Sequence, residues 1–374
     1  MVARRPVTRR WPRPAIIASL TVFALAVVAA IWVFYTRDVP LPAPKESLRA
    51  TASVSHDDFV GAERCASCHR TEYAAWSRST HGRAGGPPSP TTVIAPFSAP
   101  IVFRNAVVTP RMRSGTYEFT VEQPGEPLRS FRVSGVVGGG HMFGGGTQAF
   151  VTPNEDGTVR LLPFEWSRQA GAWFCNTSSR SGRGWARITR ETRLEECGDW
   201  PPVRVLGDNA RFANCQSCHA SQATLVLDSV ARRYTTRMTS LAINCESCHG
   251  PGRRHIEIIE RIATAGGQPN RTADIGMASL ATFEKDASLR VCYQCHSVKD
   301  QLRDGFLSGD TLARYYSTRF PLLGDRPLFP DGRVRTFAYQ EGHQYSDCYL
   351  NGGMTCTSCH DPHDQKYRTV AGES

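Results

Sequence analysis

The chain has 374 residues, 40% of them hydrophobic, which is enough for one or two domains with a buried core. Its formal net charge is +10, a value at which nucleic-acid binding must be considered. Five of those charges are arginines within residues 1–14, so the rest of the chain, at about +5, is only mildly basic. The charge alone is therefore no argument for a nucleic-acid partner.

The N-terminal region has the pattern of a membrane anchor. A basic segment at residues 1–14 precedes residues 15–35, which carry no charged side chain and as a helix would extend about 30 Å, the thickness of a hydrocarbon layer. We expect a transmembrane helix here, with the basic segment in the cytoplasm. The alternative is a cleaved signal peptide, whose apolar stretch is usually shorter. Residues 36–60 contain three prolines and are expected to form a tether.

A five-residue motif, Cys-x-x-Cys-His, occurs five times in the rest of the chain. Two thiols at this spacing can reach both vinyl groups of one porphyrin, and the histidine then ligates the iron as its proximal ligand. We therefore predict five covalently bound haem c groups. The cysteines of motifs 1 to 5 are Cys65 and Cys68, Cys215 and Cys218, Cys245 and Cys248, Cys292 and Cys295, and Cys356 and Cys359. The proximal histidines are His69, His219, His249, His296 and His360.

Other uses of paired cysteines fit this pattern less well. Zinc sites would need the pairs to combine into tetrahedral sets, but five is an odd number and every pair is followed directly by histidine. A single pair could also be a thioredoxin-type redox site. The repetition of the whole motif favours haem attachment over both.

Six further histidines face five irons as candidate distal ligands. His81 follows motif 1 after a short predicted helix and lies too far along it to face His69 across one haem, so we expect it to ligate a different haem. His363 is too close to His360 to oppose it, which again indicates a neighbouring haem. The remaining candidates, in decreasing order, are His255, His343, His141 and His56. Methionine is the competing ligand, at Met142 or Met354.

Residues 90–205 contain no haem motif and consist of short β-prone segments separated by glycine and proline. We predict a β-rich insertion that packs against the haems. Within it, glycines flank His141 and either let the backbone approach a haem or form a flexible loop. Cys175 and Cys197 are expected to form a disulfide, which leaves Cys348 unpaired.

Four motifs fall within residues 215–360, a density that leaves no room for an ordinary aliphatic core. Porphyrins are expected to supply much of the buried apolar surface, with short helices and loops around them. The predicted fold class is mainly α with a β-rich insertion, a haem-filled core and an N-terminal transmembrane helix. Residues 61–374 would form one pentahaem cytochrome domain.

Three stretches carry a resemblance to a known group. They are motif 1 with Tyr73, Trp76 and His81, motif 3 with Gly-Pro-Gly and His255, and motif 5 with Asp-Pro-His363. Here the sequence resembles multihaem cytochromes related to the tetrahaem electron carrier of nitrification, a superfamily that includes hydroxylamine oxidoreductase and pentahaem nitrite reductase. The resemblance implies closely stacked haems with histidines supplied across haems. No motif ends in lysine, as the catalytic one of the nitrite reductase does, so no catalytic residue is carried over.

The sequence therefore predicts an anchored pentahaem cytochrome c that relays electrons, facing the periplasm from a bacterial inner membrane. Histidine on both sides of most irons would fill their coordination and favour electron transfer. The alternative is a reductase or oxidase of a small nitrogen, sulfur or metal species at one haem with an open distal site. We expect a redox protein or a quinol-linked donor and acceptor as partners. Nucleic acid is not expected, because five ferric haems at about −1 each bring the exported part near neutral.

Overall fold

The computed structural model describes most of the chain in separate stretches. These are residues 13–36, 54–138, 147–176, 185–198, 200–207, 216–268, 274–297, 299–318 and 340–366. The chain divides into two units, Met1–Arg49 and Ala50–Ser374. The first unit contains the helix α1 (Arg13–Thr36).

The predicted membrane anchor is not supported. Among the residues that the structure describes, no helix is both long enough and apolar enough to cross a membrane. This finding contradicts the transmembrane helix predicted at residues 15–35 and the single-pass inner-membrane location.

The helices of the second unit are short. They are α2 (Ala62–Cys65), α3 (Arg70–Trp76), α4 (Gln216–His219), α5 (Cys245–His249), α6 (Arg253–Thr264), α7 (Lys285–Tyr293), α8 (Asp347–Leu350) and α9 (Cys356–Cys359). Four of them are single turns at haem motifs, because one turn already brings cysteines three residues apart to the same side. Strands hold more of this described unit than α-helices do. The prediction of a mainly α fold is therefore wrong.

The described strands form five antiparallel sheets. Two are four-stranded, with orders β1-β6-β7-β8 and β2-β3-β4-β5, one is three-stranded, β11-β10-β9, and two are hairpins, β12-β13 and β14-β15. The first eight strands are β1 (Gly85–Gly86), β2 (Ile101–Val102), β3 (Val107–Arg113), β4 (Thr116–Glu122), β5 (Arg129–Arg132), β6 (Gly135–Val137), β7 (Ala149–Pro153) and β8 (Val159–Leu161). The others are β9 (Phe164–Ser167), β10 (Ala172–Asn176), β11 (Trp185–Arg187), β12 (Thr224–Asp228), β13 (Arg233–Arg237), β14 (Lys299–Gln301) and β15 (Tyr316–Thr318).

The main hydrophobic core joins residues from three of these sheets. Phe119, Phe150 and Phe164 are fully buried, and the ring centroid of Phe119 lies 5.1 Å from that of Phe150 and 5.7 Å from that of Phe164. The predicted disulfide between Cys175 and Cys197 is confirmed, with the Cα atoms 5.3 Å apart and both residues in this core. The β-rich region therefore has an aromatic core of its own, separate from the haem motifs.

Strand β1 connects this region to the haem motifs. It follows His81 closely and pairs with β6 through Gly85 and Val137. A Cβ on Gly85 would lie 2.2 Å from the carbonyl oxygen of Leu241, so only glycine allows this approach. The backbone N–H of Ile243 donates to the His81 carbonyl at 3.1 Å. The segments that carry His81 and lead into motif 3 are thus held side by side.

Candidate functional site

Each haem motif that the structure describes in full is organised by one helical turn. His69, His296 and His360 each donate their backbone N–H to the carbonyl of the first cysteine of their motif at 2.9 Å. Motif 3 forms α5, where the N-cap Asn244 accepts the N–H of Ser247 at 3.1 Å. Residues at i, i+3 and i+4 share one helix face, so two thiols and one imidazole are presented together. In motif 2, Cys215 lies outside the described residues.

Cysteines of different motifs lie next to each other. In three pairs one cysteine is close enough to affect the pKa of the other: Cys65 with Cys245, Cys292 with Cys356, and Cys218 with Cys295. They bring motif 1 against motif 3, motif 4 against motif 5, and motif 2 against motif 4. In the second pair, the hydrogen bond from Cys292 lowers the pKa of the Cys356 thiol to about 7, whereas the same bond and burial raise the pKa of Cys292.

Three proximal histidines each face a second histidine from another part of the chain. The ring centroids of these pairs are 6.3 Å apart for His69 and His255, 6.2 Å for His296 and His81, and 6.3 Å for His249 and His363. In the third pair the two rings are parallel to within 6°. The structure therefore places three of the predicted distal ligands opposite three of the predicted proximal histidines. In every pair, the distal candidate follows a different motif from the one that contains the proximal histidine.

This separation fits a metal ion held between two imidazoles. A bond from the metal to imidazole nitrogen of about 2.0 Å on each side, with about 1.1 Å more to each ring centre, places the two ring centres about 6.2 Å apart. Direct stacking or a hydrogen bond between the rings would bring them closer. The three observed distances lie at the value for two axial ligands of one iron.

The backbone orients the rings as metal ligands are usually oriented. His255 Nδ1 lies 2.9 Å from the Ile275 carbonyl oxygen, so Nδ1–H donates and Nε2 is left to bind a metal. His81 and His249 also make backbone hydrogen bonds, to Pro362 and Ala278. Ligating histidines commonly donate their other N–H to a carbonyl, which fixes the tautomer and the ring plane.

Burial keeps several of these imidazoles neutral, which is the form that binds metal. Burial, with a contribution from His296, lowers the pKa of His81 to about 4. Burial and then the nearby His363 lower the pKa of His249, and burial lowers that of His219. The residues present are thus suited in geometry, tautomer and protonation to an iron porphyrin.

The other candidate histidines are placed differently. Among the described residues, the Nδ1 atom of His219 and the Nε2 atom of His56 are buried without a hydrogen-bond partner. His343 Nε2 lies 2.9 Å from the Met354 carbonyl oxygen, and His343 is close enough to Cys356 to affect its pKa. His141 lies outside the described residues, so its predicted role stays a prediction.

The residues between the cysteines of a motif were not predicted to have a role of their own. Gln294 of motif 4 donates its side-chain N–H to the Ser247 carbonyl of motif 3 at 2.8 Å. The Ser247 hydroxyl lies 2.8 Å from that of Ser221, just after motif 2. Glu246 of motif 3 is fully buried. A polar or charged residue inside a haem motif was the available signal for these contacts.

Comparisons with known proteins agree with this chemistry. The family described as Cytochrome c554 and c-prime matches residues 189–250. The dissimilatory sulfite reductase MccA of Wolinella succinogenes is 25% identical over 342 residues, covering 82% of this chain and 41% of that protein, so the chain spans about two fifths of that relative's length. The crystal structure of the outer cell wall cytochrome OcwA matches with a TM-score of 0.45 and 17% identity, over 82% of this chain and 57% of that one.

The repeated motif has the spacing needed for covalent attachment, and the facing histidines are separated as two ligands of one metal ion would be. The family match covers motif 2 and motif 3, where the structure shows polar contacts between motifs. The chain is a multihaem c-type cytochrome that binds haem c covalently.

Proposed function

We propose that the chain is a pentahaem cytochrome c that relays single electrons between redox partners. The chain would belong to the family related to the tetrahaem electron carrier of nitrification and hydroxylamine oxidoreductase. The family match over residues 189–250 supports this assignment. Residues 61–374 would form the haem domain, with the β-rich insertion at about residues 90–205. The observation that carries the proposal is the set of three histidine pairs at 6.2–6.3 Å.

Each of these pairs would ligate one haem, named here by its motif. His69 and His255 would ligate haem 1, His249 and His363 haem 3, and His296 and His81 haem 4. In every case the distal histidine comes from the neighbourhood of another motif: His255 follows motif 3, His363 follows motif 5 and His81 follows motif 1. If these histidines hold the three irons, they would occupy the positions at which a substrate could bind, which favours electron transfer.

The contacts between motifs provide a route through the protein. Motif 1 contacts motif 3 through Cys65 and Cys245, and motif 3 contacts motif 4 through Ser247 and Gln294. Motifs 2 and 5 both contact motif 4 through their cysteines. Porphyrins attached at neighbouring motifs would lie close enough for electron tunnelling, and the chain's residues hold the ligands in place and exclude water.

The partners would be an electron donor and an electron acceptor that dock at the ends of this route, either redox proteins or a quinol-linked enzyme. Haem supplies one-electron chemistry when bound. The protein supplies the relative positions of the haems and, through burial and hydrogen bonds to the axial imidazoles, the potential of each. Nucleic acid is not proposed as a partner, because five ferric haems at about −1 each would offset the charge of about +5 on the exported part of the chain.

A second candidate function is reduction of a small oxyanion, a sulfur species being the first to test. Two observations favour it. A relative that is 25% identical over 82% of this chain is described as a dissimilatory sulfite reductase. Within the described residues, the Nδ1 atom of His219 in motif 2 is buried without a hydrogen-bond partner, and none of the three histidine pairs includes His219. The remaining candidates for the distal ligands of haems 2 and 5 are His343, which lies near motif 5, His141 and His56.

The test is a haem count and a spin-state analysis of the purified full-length holoprotein. The relay predicts five haems by pyridine haemochrome and mass spectrometry, and low-spin ferric signals for at least haems 1, 3 and 4 in the electron paramagnetic resonance spectrum. A high-spin signal from one haem that shifts on addition of sulfite, nitrite or hydroxylamine would support the reductase instead. Fewer than three low-spin haems would refute the proposed ligand pairs.

A further inference from the structure

A buried carboxylate inside motif 3 has no part in haem attachment. Glu246 stands between the two cysteines of the motif, and only 2% of the residue is exposed. Its Oε1 atom accepts the backbone N–H of Val60 at 2.9 Å and that of Gly252 at 2.8 Å. Its Oε2 atom accepts the N–H of Gly61 at 2.8 Å and lies 3.1 Å from the Val60 nitrogen. Burial of a carboxylate is costly without such donors, so the surroundings are built to hold this group.

The donors come from the segments that carry the two histidines of one pair. Two of them directly precede α2, which leads into motif 1 and His69. The third, Gly252, is the N-cap of α6, and α6 carries His255. The carboxylate of Glu246 therefore connects the segment of the proximal histidine to the segment of the distal histidine that faces it.

The backbone around the carboxylate is adapted to its close approach. A Cβ on Gly252 would lie 3.1 Å from Glu246 Oε1 and 3.0 Å from Val60 Cγ2, so a larger residue would crowd the carboxylate. Gly61 has a φ of 83°, a conformation that favours glycine. Both glycines let a backbone N–H point at an oxygen of the same side chain.

We propose that Glu246 is a positioning residue that holds His69 and His255 at the separation required of two axial ligands. The inference rests on the proposed function, in which this pair ligates haem 1. Without the carboxylate, the N–H groups of Val60 and Gly61, which are partly buried, and that of Gly252, which is buried, lose their acceptor. Helix α6 is then no longer fastened to the start of motif 1. Because Glu246 belongs to motif 3, the same side chain also sets the position of haem 1 relative to haem 3.

The test compares four variants of the full-length holoprotein. Glu246→Gln keeps the size of the side chain but places an NH₂ group against backbone donors, because an amide has only one acceptor atom. Gly252→Ala crowds the carboxylate without removing it. His255→Ala marks the complete loss of the distal ligand. Asp156→Asn is the matched control, since Asp156 accepts hydrogen bonds from Thr158 at 2.9 Å but lies in the β-rich region, outside the haem motifs.

We expect Glu246→Gln to produce the same high-spin ferric signal as His255→Ala, in a smaller amount and abolished by added imidazole. A double variant that combines Glu246→Gln with His255→Ala should show no more high-spin haem than His255→Ala alone, because both changes act on one haem. Loss of a buried negative charge should also shift the potential of haem 1 or haem 3 to a more positive value. Gly252→Ala should change the spectrum in the same direction, and Asp156→Asn should leave it unchanged.

A spectrum and potentials of Glu246→Gln identical to those of the wild type would overturn the inference, as would a high-spin signal that adds to that of His255→Ala. If His255→Ala itself gives no high-spin haem, the ligand assignment of the proposed function fails, and this inference with it. If His255→Ala gives a high-spin signal and Glu246→Gln gives none, the ligand assignment stands and the positioning role fails. Should Glu246→Gln yield no holoprotein, Gly252→Ala decides by the same criteria.

Discussion

Replacing His81 by alanine tests the ligand pairing most directly. His81 faces His296 of motif 4 at 6.2 Å, although it lies much closer in sequence to motif 1. If the chain binds the five haems we propose, the substitution should open the distal side of one of them, so that about one fifth more of the haem iron becomes high-spin. The backbone contacts of residue 81 with Ala84 and Ile243 are kept in the variant. The loss of one ring hydrogen bond, to Pro362, should cost only about 1 kcal/mol of stability.

The assay is quantitative electron paramagnetic resonance of the ferric holoprotein, with haem content measured in parallel. His81→Met serves as the comparison, because methionine can still ligate iron and is expected to keep the haem low-spin while raising its potential. Combining His81→Ala with His255→Ala separates the two haems: about two fifths of the iron should become high-spin if the residues serve different haems. A double variant with only one high-spin haem, or a single variant with none, would refute the pairing.

Three further predictions concern the β-rich region. Cys197→Ser opens a disulfide that joins residues 22 apart and should lower the free energy of unfolding by about 3 kcal/mol, measured by denaturant titration. Phe119→Ala empties a fully buried site and should cost about 3–5 kcal/mol; an unchanged midpoint would contradict it. Burial opposes ionisation of Asp156, but hydrogen bonds from Thr158 and others outweigh it and lower its pKa, so its stabilisation is present at neutral pH and lost on acidification. Since its side chain is 38% exposed, Asp156→Asn should cost about 1 kcal/mol at pH 7 and little at acidic pH, as unfolding curves at both pH values will show.

The density of the haem motifs led to a wrong prediction of the fold class. We expected short helices and loops around the haems to make the fold mainly α, yet each described site uses one helical turn and strands hold more of the second unit. The β-rich region then dominates, because its aromatic residues, such as Phe119 and Phe150, alternate along strands and bury one another between sheets. The apolar segment at residues 15–35 likewise matched a general pattern, and the described part of α1 does not support a membrane crossing.

Local chemistry could be predicted because it is encoded within five residues. Two thiols and an imidazole at positions i, i+3 and i+4 share one face of any helical turn, so spacing alone predicts the haem attachment sites and their proximal histidines. The disulfide between Cys175 and Cys197 was also predictable, because they were the two cysteines of the insertion that no motif used. Sequence distance was likewise enough to predict that His81 does not face His69.

Which histidine each predicted distal ligand faces was decided by tertiary structure alone. His81 is placed against motif 4 by the pairing of β1 with β6 and by the hydrogen bond from Ile243. These contacts cannot be predicted from the spacing of residues along the chain. In the sequence Glu246 only separates the two cysteines of its motif. In the folded chain it accepts a backbone N–H from a residue 186 positions away. Attachment depends on bonds within one turn, whereas coordination depends on contacts through space between distant segments, and only the folded chain brings those segments together.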